Sequence, residues 1–525
     1  MTLTETQKEI IVAYLEFVKT SNKHPKREDM SKLGYKNNKI RRHFTSLTNL
    51  RTTVKKLHPE KFENVIDNSL FTRRKFKELE GEVKKYKRFV ITTVVNDCEV
   101  NKGFLKSIDQ YCKLNNAALL LLPSHDPAHN LEKEYTWHFD PLIAKRLIVF
   151  DDLELNSNLF LCAIKLSAKH IDPITGLERI GQRDGSFIYA SPKQRLKYVP
   201  TGNTKLPHAI MTAGAITNPD YKTERYLSQR TAYIAQHDHV LGAIIVEIVD
   251  NKFFHFRQIQ AEKNGSFIDI GVKYDGEKTY DVKPEAIVLG DWHSGETDSA
   301  VRKTWFGLID TLKPKKLIIH DIMNGKSINP HEKDKIVNKA KSPMTLGYEF
   351  LLVATELNEI AKHAPEIVIV KSNHDEFLER YINSGDWTND IYNCKLCMQL
   401  GLEMMNGKNP LEYAVSHQLL EPKKFKWLGR DEDYKIANVQ LGAHGDKGQN
   451  GSKGNIKSME MCYGNSITGH SHSAQILRGA WCVGTSTYLK VGYNEGPSNW
   501  THTSCILYSN GSKQLINCFN GNWKL

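Results

Sequence analysis

Acidic, amide and imidazole side chains follow three apolar segments in the second half of the chain. Each segment is rich in β-branched and aliphatic residues, a composition that predicts a buried strand. The side chains that follow are Asp291 and His293, then Asp321, and then Asn373, His374 and Asp375. Two later segments, 442–446 and 469–472, contribute His444, His470 and His472. Since ligands gather at the carboxyl ends of strands in open α/β sheets, we expect these groups to meet at one sheet edge.

The candidate ligands are carboxylate, amide and imidazole groups, a mixture that suits Mn, Fe, Zn or Mg rather than a thiolate zinc site. Seven such ligands are too many for one tetrahedral ion, but they suit two divalent ions that share a bridging carboxylate. Such a pair of ions stabilises both the attacking and the leaving oxygen during displacement at phosphorus. The opposing interpretation is that these are ordinary surface or core histidines among the 21 of the chain. This interpretation explains any single histidine, but it does not explain why five motifs follow one another in order along the chain.

The order of the motifs, D-x-H, D, N-H-D, H and G-H-x-H, resembles that of the calcineurin-like metallophosphoesterase family over roughly residues 284–510. The resemblance implies a two-sheet sandwich flanked by helices. It also implies the metal ligands: Asp291, His293 and His472 for the first ion, Asp321 as the bridge, and Asn373, His444 and His470 for the second. Mn is the favoured ion, and Mg, Fe or Zn would also suit these ligands.

In the same family pattern, His374 is a catalytic histidine and not a ligand. It would donate a hydrogen bond to the scissile phosphate or protonate the leaving oxygen, and Asp375 would orient its other ring nitrogen. The nucleophile would be a water or hydroxide acidified by both metals. The chain departs from the family at three positions, where His320 and Ser372 replace glycines and Asn324 replaces an acidic residue. No ligand is lost by these changes, but they leave the shape of the turns open.

Length and composition are those of a soluble globular protein with several domains. The chain has 525 residues, enough for three or four domains, of which 40% are apolar and 25% charged. No apolar run approaches the roughly eighteen residues of a transmembrane helix, and we expect no secretory signal. The nine cysteines, an odd number without regular spacing, favour reduced thiols in a cytoplasm. Cys394 and Cys397 lack a zinc-finger partner pair, so core packing is favoured for them.

The net charge of +12 is concentrated near the amino terminus. Residues 1–88 contain 22 lysines and arginines against 11 aspartates and glutamates. Within residues 1–70, helical patterns predict a helix-turn-helix module that resembles small DNA-binding repeats of phage and homing nucleases. Lys39, Arg41 and Arg42 lie on its outward face and would mostly contact phosphates. A basic helical bundle with only a packing role is the alternative.

The remaining chain divides into three expected parts, all consistent with an α/β fold class. Residues 71–88 form a basic linker helix, in which Arg73 and Arg74 either track a DNA backbone or belong to a solvated connector. The segment 89–283 predicts a middle α/β domain with a parallel βαβ unit and no motif that indicates a role. The segment 284–525 is the expected metallophosphoesterase domain, and its insertion 381–435 is interpreted as a cap.

Glycines recur at every third residue from 442 to 454, beside the ligand His444. Their backbone amides, together with Lys447, could cradle a phosphate that belongs to bound DNA. Glycine is also the default residue of any tight loop, so the sequence leaves both interpretations open.

The motifs and the basic module together predict a metal-dependent DNA nuclease, similar in logic to SbcD-type repair nucleases. The overall layout also resembles the large pre-early proteins of Tequintavirus-type phages, which implies degradation of host DNA in the cytoplasm of an infected bacterium. DNA is the expected partner, a membrane is not, and a homo-oligomer is left open. Two alternatives remain: a phosphodiesterase or phosphatase acting on a nucleotide or phosphoprotein, and a non-catalytic DNA-binding protein.

Overall fold

A computed structural model describes residues 3–21, 24–25, 27–45, 47–61, 76–124, 137, 139–164, 166–202, 206–221, 229–329, 345–492 and 494–525. These residues fall into two compact units, which are described separately. The first unit lies within Met1–Arg74, Asn96–Val100 and Asn130–Arg146, and the second lies within Lys75–Val95, Asn101–His129 and Leu147–Leu525. None of the helices in these ranges combines the length and apolar character that crossing a lipid bilayer requires.

The α-helices are α1 (Glu5–Ser21), α2 (Arg27–Lys32), α3 (Asn37–Phe44), α4 (Leu47–Leu57), α5 (Phe76–Val83), α6 (Lys102–Asn115), α7 (Pro141–Ala144), α8 (Glu178–Asp184), α9 (Gln229–His237), α10 (Ser299–Leu312), α11 (Leu346–Ile360), α12 (Glu376–Ser384), α13 (Cys394–Met405), α14 (Pro410–Ser416) and α15 (Ile456–Tyr463). Short 3-10 helices span Pro59–Lys61, Asp386–Asn389, Pro422–Lys424 and Gln449–Gly451.

The strands are β1 (Arg88–Val95), β2 (Ala117–Ser124), β3 (Leu147–Ile148), β4 (Leu153–Asn156), β5 (Leu159–Cys162), β6 (Ser186–Tyr189), β7 (Gln194–Val199), β8 (His208–Ala213), β9 (Gly242–Ile248), β10 (Phe254–Gln260), β11 (Phe267–Asp269), β12 (Val272–Tyr274), β13 (Thr279–Asp281), β14 (Ala286–Val288), β15 (Lys316–His320), β16 (Ile367–Val370), β17 (Phe425–Trp427), β18 (Lys435–Ile436), β19 (Val439–Gln440), β20 (Ser466–Thr468), β21 (Gln475–Leu477), β22 (Ala480–Cys482), β23 (Thr503–Leu507) and β24 (Lys513–Asn517). This mixture of helices and multi-stranded sheets confirms the predicted α/β class.

The first unit has its own small core, formed by helices α1 to α4. The buried apolar side chains of this core are Ile10, Ile11, Tyr14, Val18, Met30, Ile40, Phe44, Leu50 and Val54. On α3, the positively charged side chains of Lys39, Arg41 and Arg42 are exposed. The action of these helices as a DNA-binding helix-turn-helix module stays a prediction.

The second unit begins with a five-stranded sheet in the order β10-β9-β1-β2-β3. Strands β1 and β2 are parallel and are connected by α6, as the predicted βαβ unit requires. Asn101 precedes helix α6 and caps it, because its side chain accepts a hydrogen bond of 2.9 Å from the Phe104 amide. Strands β9 and β10 are antiparallel.

A six-stranded sheet in the order β17-β16-β15-β14-β23-β24 carries the first three ligand motifs. Strands β14, β15, β16 and β17 are parallel, so their carboxyl ends lie at one edge. Ile287, Ile319 and Ile369 pack on the helices of one face. Val288 and Ile318 point into the core on the opposite face. Burial on both faces explains why these strands are continuous apolar runs in the sequence.

The core on that opposite face is shared with a ten-stranded sheet in the order β18-β19-β20-β22-β21-β7-β8-β6-β5-β4. Strands β4 to β8 come from the expected middle domain, and β18 to β22 come from the expected metallophosphoesterase domain. They join where β7 pairs antiparallel with β21. The expected boundary between residues 283 and 284 therefore does not separate two cores. The sequence did not predict this shared sheet, because pairing between strands that are so distant in the chain has no local signal.

The segment 381–435, expected to be a cap, contributes to the second unit in two ways. Helices α13 and α14 place Cys397, Leu400 and Val415 in the core beside α11, which agrees with core packing of the C-x-x-C cysteine Cys397. Strand β17 pairs with β16 as an edge strand of the central sheet. Whether the segment also covers the site stays a prediction.

Glu349 on α11 generates a prediction about pH. Its carboxylate is buried and accepts hydrogen bonds from the Ser327 hydroxyl at 2.8 Å and the Ser327 amide at 3.4 Å. Burial raises the pKa of Glu349 to about 7. The unfolded chain loses this proton near pH 4.3, roughly, so the folded state loses stability as pH rises to about 7.

We therefore expect Glu349→Gln to increase the free energy of unfolding by about 1–3 kcal/mol at pH 8. At pH 4, where the carboxyl is protonated in both states, the change should be small. Urea unfolding at both pH values measures the difference, with the partly exposed Glu359→Gln on the same helix as control. Equal effects of Glu349→Gln at the two pH values would contradict the prediction.

Candidate metal centre

The predicted ligands come from five loops of the second unit. Asp291 and His293 follow β14, Asp321 follows β15, and Asn373 lies between β16 and α12. His444 follows β19, and the pair His470 and His472 lies between β20 and β21. The loops after β14, β15 and β16 leave the same edge of the parallel sheet, which brings their side chains together as the sequence predicts.

Asp321 and Asp291 each lie against imidazole nitrogens. Asp321 Oδ2 is 3.3 Å from His293 Nε2 and 3.3 Å from His444 Nε2. Asp291 Oδ2 is 3.2 Å from His472 Nε2, and that nitrogen is 3.2 Å from His293 Nε2. Two atoms that bind one ion at about 2.1 Å lie roughly 3.0–3.4 Å apart at tetrahedral or octahedral angles, so these spacings suit metal ligation.

Among the described residues, two groups of donor atoms are compact enough to hold an ion, namely His293, Asp321 and His374, and Asp291, Asp321 and His444. Asp321 belongs to both groups, which is the position that a bridging carboxylate requires. His374 is a member of the first group, and its ring lies 4.7 Å from that of His293. The geometry thus places the expected catalytic histidine beside the ligands.

The other expected ligands lie beside these groups. The ring of His470 is 5.3 Å from the ring of His444, and the His470 amide donates a hydrogen bond of 2.6 Å to Asp291 Oδ2. Asn373 Oδ1 is buried. The structure therefore gathers six of the seven expected ligands around Asp291 and Asp321, and the ligand role of Asn373 stays a prediction.

Buried donor atoms without hydrogen-bond partners test whether a metal fits. Within the described ranges, the atoms of this kind at the centre are Asp291 Oδ1, Asp321 Oδ1, Asn373 Oδ1, His293 Nδ1, His472 Nδ1 and His444 Nδ1. A buried polar atom without a partner costs free energy, and several in one place are exceptional. Divalent cations would satisfy oxygen and nitrogen donors of these types, so the residues fit a metal centre.

The charges at the centre compensate one another. Burial tends to raise the pKa of Asp321, but the neighbouring His444 and His293 hold it well below its usual value. Burial tends to lower the pKa of His444, yet the Asp321 and Asp291 carboxylates raise it to about 9. The additional histidine, His320, is fully buried, and burial lowers its pKa to about 4. His320 is therefore neutral at pH 7, although its ring lies 5.6 Å from that of His444.

Four ligands adopt left-handed backbone conformations: His293, Asp321, His470 and His472, with φ values of 48°, 53°, 73° and 53°. Such conformations cost about 1–3 kcal/mol each outside glycine, and they concentrate at functional sites. Backbone pairing holds the first two in place, because the His293 amide donates to the Asp321 carbonyl at 2.7 Å. The Trp292 amide likewise donates to the His320 carbonyl at 3.1 Å.

The structure corrects the expected role of Asp375. Its carboxylate accepts hydrogen bonds from the Ser372 amide at 3.0 Å and the Met323 amide at 3.1 Å, so it stabilises the turn. The Asn324 carbonyl lies 3.2 Å from His374 Nδ1 and takes the orienting role. Ser372, which replaces a family glycine, uses its hydroxyl to accept the Asp375 amide at 3.1 Å.

Two supporting residues were missed from the sequence because neither belongs to a motif. Glu356 on α11 accepts a hydrogen bond of 2.6 Å from Trp292 Nε1. Trp292 is the residue between the ligands Asp291 and His293 in the sequence. Arg430 contacts Asp446 after the His444 motif, and its Nε lies 3.7 Å from Glu376 Oε1 at the start of α12. Arg430 thus links the turn after β16 to the loop after β19.

Of the six residues expected to bind DNA, four lie in the described ranges and two lie outside them. Lys447 lies in the glycine-rich loop, where its ammonium is 3.3 Å from Glu376 Oε1. Lys39, Arg41 and Arg42 belong to the first unit. Arg73 and Arg74 lie outside the described residues. DNA contact by these residues therefore stays a prediction.

The fold and this centre define an α/β protein with a candidate site for divalent cations. The chain is similar to Protein A1 of Escherichia phage T5, with 29% identity over 473 residues that cover 84% of this chain and 83% of that protein. The expected resemblance to a phage protein is thereby confirmed. No protein-family model matches the chain, and no solved structure matches it.

The central position of Asp321 predicts that metal binding depends on it. We expect Asp321→Ala to lower Mn affinity at least about tenfold, since even residues that only support ligands can contribute that much. Isothermal titration with Mn measures the affinity, and the largely exposed Asp310→Ala serves as control. Unchanged Mn affinity in Asp321→Ala would remove Asp321 from the centre.

The contacts of Arg430 predict a supporting role. Arg430→Met should lower Mn affinity by about 10-fold, because it separates the His444 loop from the turn that carries Asn373. Arg302→Met, which removes an ion pair with Glu359 on the helical face, should bind Mn like the native protein. Thermal unfolding must show that both variants are folded. Native Mn affinity in folded Arg430→Met would show that the loops keep their positions without it.

Proposed function

We propose that this chain is a metal-dependent DNA nuclease that hydrolyses phosphodiester bonds with two divalent ions, is encoded by a phage and acts on host DNA. The observation that supports the proposal most directly is the placement of Asp321 Oδ2 3.3 Å from both His293 Nε2 and His444 Nε2. A carboxylate shared between two donor groups suits a two-metal centre for displacement at phosphorus.

The residues divide into two ligand sets under this proposal. Asp291, His293 and His472 would hold one ion, and Asn373, His444 and His470 would hold the other, with Asp321 shared. When bound, the ions would polarise a phosphoryl oxygen and acidify the attacking water. Mn suits the mixed oxygen and nitrogen donors, as do Mg, Fe and Zn.

His374 would act on the leaving oxygen. The Asn324 carbonyl at 3.2 Å holds the Nδ1 hydrogen of His374, which fixes the tautomer and leaves Nε2 as the free nitrogen. An edge-to-face contact with His293, at 4.7 Å between ring centroids, helps to hold the His374 imidazole beside the ligands. A positioned histidine of this kind contributes roughly 10²–10⁴-fold to a rate by proton transfer.

DNA as the substrate is supported by charge and by similarity. The amino-terminal 88 residues carry nearly all the excess positive charge of the chain, and α3 exposes three basic side chains. A basic module favours a polyanion through counterion release. The similarity to a protein of Escherichia phage T5 agrees with a phage origin, and breakdown of host DNA is the role that this origin suggests for the nuclease.

The proposal predicts Mn-dependent cutting of supercoiled plasmid that depends on His374. Purified protein should nick or degrade plasmid with Mn and lose activity with a chelator. His374→Ala should bind Mn yet lose at least about 100-fold in rate. The exposed His170→Ala is the matched control and should cut normally.

Three substrates distinguish the alternatives. A plasmid that stays intact with every divalent metal, while an aryl phosphodiester or a phosphoprotein is hydrolysed, would replace the nuclease with a phosphoesterase of another substrate. Mn binding without hydrolysis of any of the three would favour a DNA-binding protein. Full plasmid cleavage by His374→Ala would overturn the proposed role of that histidine.

A further inference from the structure

A cavity of about 680 Å³ lies in the second unit and is lined by aromatic side chains. Tyr198 on β7 of the ten-stranded sheet lies on one side, and Phe254 and Phe256 on β10 of the five-stranded sheet contribute another. Phe253, just before β10, and Phe519, after β24, complete the aromatic lining. We term this space the aromatic cavity. Its volume lies in the range of roughly 300–1,000 Å³ that holds small ligands.

The five rings differ in how far a ligand can reach them. Tyr198 and Phe256 are each 2% exposed, and with the buried Phe254 they belong to the core between the sheets. Phe253 and Phe519 are only partly buried. The buried rings therefore form the inner wall of the aromatic cavity, and the two partly buried rings are accessible to a bound molecule. Flat aromatic ligands such as nucleobases stack on rings of this kind.

Polar side chains place hydrogen-bonding groups beside these rings. His208 Nδ1 donates a hydrogen bond of 2.5 Å to the Gly181 carbonyl, so the neutral imidazole keeps Nε2 as an acceptor. Asn158 Nδ2 donates at 2.9 Å to the Lys252 carbonyl, which leaves its Oδ1 as an acceptor. Asn520 also lines the cavity and carries both a donor and an acceptor. Since the edges of nucleobases carry donors and acceptors, these groups suit a base better than a plain aromatic ring.

The charge of the lining favours an anionic ligand. Among the described lining residues, Lys252 is the only lysine or arginine, and none is an aspartate or glutamate. Lys252 is exposed and lies between β9 and β10, next to Phe253. Its ammonium is therefore accessible to a phosphate at the mouth of the aromatic cavity. A flat ring, a polar edge and a negative charge together describe a nucleotide.

A chain of hydrogen bonds connects the aromatic cavity to the metal centre. The Tyr198 hydroxyl donates at 2.9 Å to Asn517 Oδ1, which also accepts the Thr503 hydroxyl at 2.8 Å. The hydroxyls of Thr503 and Thr501 are 3.0 Å apart, and the Thr501 amide donates at 2.9 Å to the His472 carbonyl. Only three side chains therefore separate the cavity wall from an expected metal ligand. Grooves that bind single strands extend over about 4–16 nucleotides, which is enough to include both places.

We propose that the aromatic cavity binds one unpaired nucleotide of the DNA strand that the metal centre holds. The base stacks on Phe253 and Phe519, and Lys252 pairs with a phosphate. The inference rests on the proposed nuclease function, because that function supplies the strand; a free mononucleotide offers the same chemistry. A base inside a duplex has its edge paired and both faces stacked, so the substrate must present a single-stranded segment or end.

The first test is binding of deoxyadenosine monophosphate (dAMP) to the full chain in the presence of a chelator, measured by isothermal titration. The native chain should bind one dAMP. Phe253→Leu should weaken this binding at least about fivefold, because it removes the stacking face. Phe306→Leu replaces a phenylalanine that packs on the opposite, helical face of the central sheet, and it should bind dAMP like the native chain. Thermal unfolding must show that both variants are folded.

The phosphate contact is tested by Lys252→Met. The loss of an exposed ion pair should weaken dAMP binding about two- to fivefold at low salt, and the difference should shrink at high salt. Lys278→Met removes a similarly exposed lysine from the turn between β12 and β13, and it should leave dAMP affinity unchanged. Equal affinity of the Lys252→Met and native chains at low salt would remove Lys252 from the site.

Competition identifies the source of the nucleotide. A short single strand of deoxyadenosine should displace dAMP, and the same sequence in a blunt duplex should not. Binding of dAMP that the single strand does not displace would overturn the strand and assign the cavity to a free nucleotide. Displacement by the duplex as effective as by the single strand would overturn the requirement for an unpaired base.

These measurements are independent of cleavage, because they use the chain without metal. Absence of dAMP binding, or native affinity in folded Phe253→Leu, would overturn the inference even if the chain cuts plasmid. A chain that binds dAMP but cuts no plasmid would instead retain the nucleotide site and lose the proposed nuclease function.

Discussion

The Asp321 carboxylate between His293 and His444 is the interaction on which the geometry of the centre depends. Its two 3.3 Å contacts join the loop after β14 to the loop after β19, which belong to different sheets. Asp321 directly follows strand β15, which pairs with β14 on one side and β16 on the other. This pairing fixes the position of Asp321. The ligand positions are thus set by paired strands. The left-handed conformations of His293 and Asp321 persist because backbone hydrogen bonds continue past the strand ends.

Burial of two aspartates among several histidines is stable only if charge is balanced. In the protein without ions, the raised pKa of His444 and the lowered pKa of Asp321 describe an imidazolium that neutralises a carboxylate. A metal ion would replace that proton as the counter-charge, since ligation requires neutral imidazole. His320 contributes no charge at pH 7, which agrees with its position on the core side of β15.

The sequence predicted the parts of the centre that have local signals. Apolar runs predicted β14, β15 and β16, and the polar residues after them predicted where the ligands would meet. Long-range features had no such signal. The pairing of β7 with β21 joins Leu196 to Ile476, 280 residues apart, and places two expected domains on one sheet. Arg430 and Glu356 act through contacts that only the folded chain creates. Asp375 was assigned from the family pattern, but the turn uses its carboxylate to accept backbone amides.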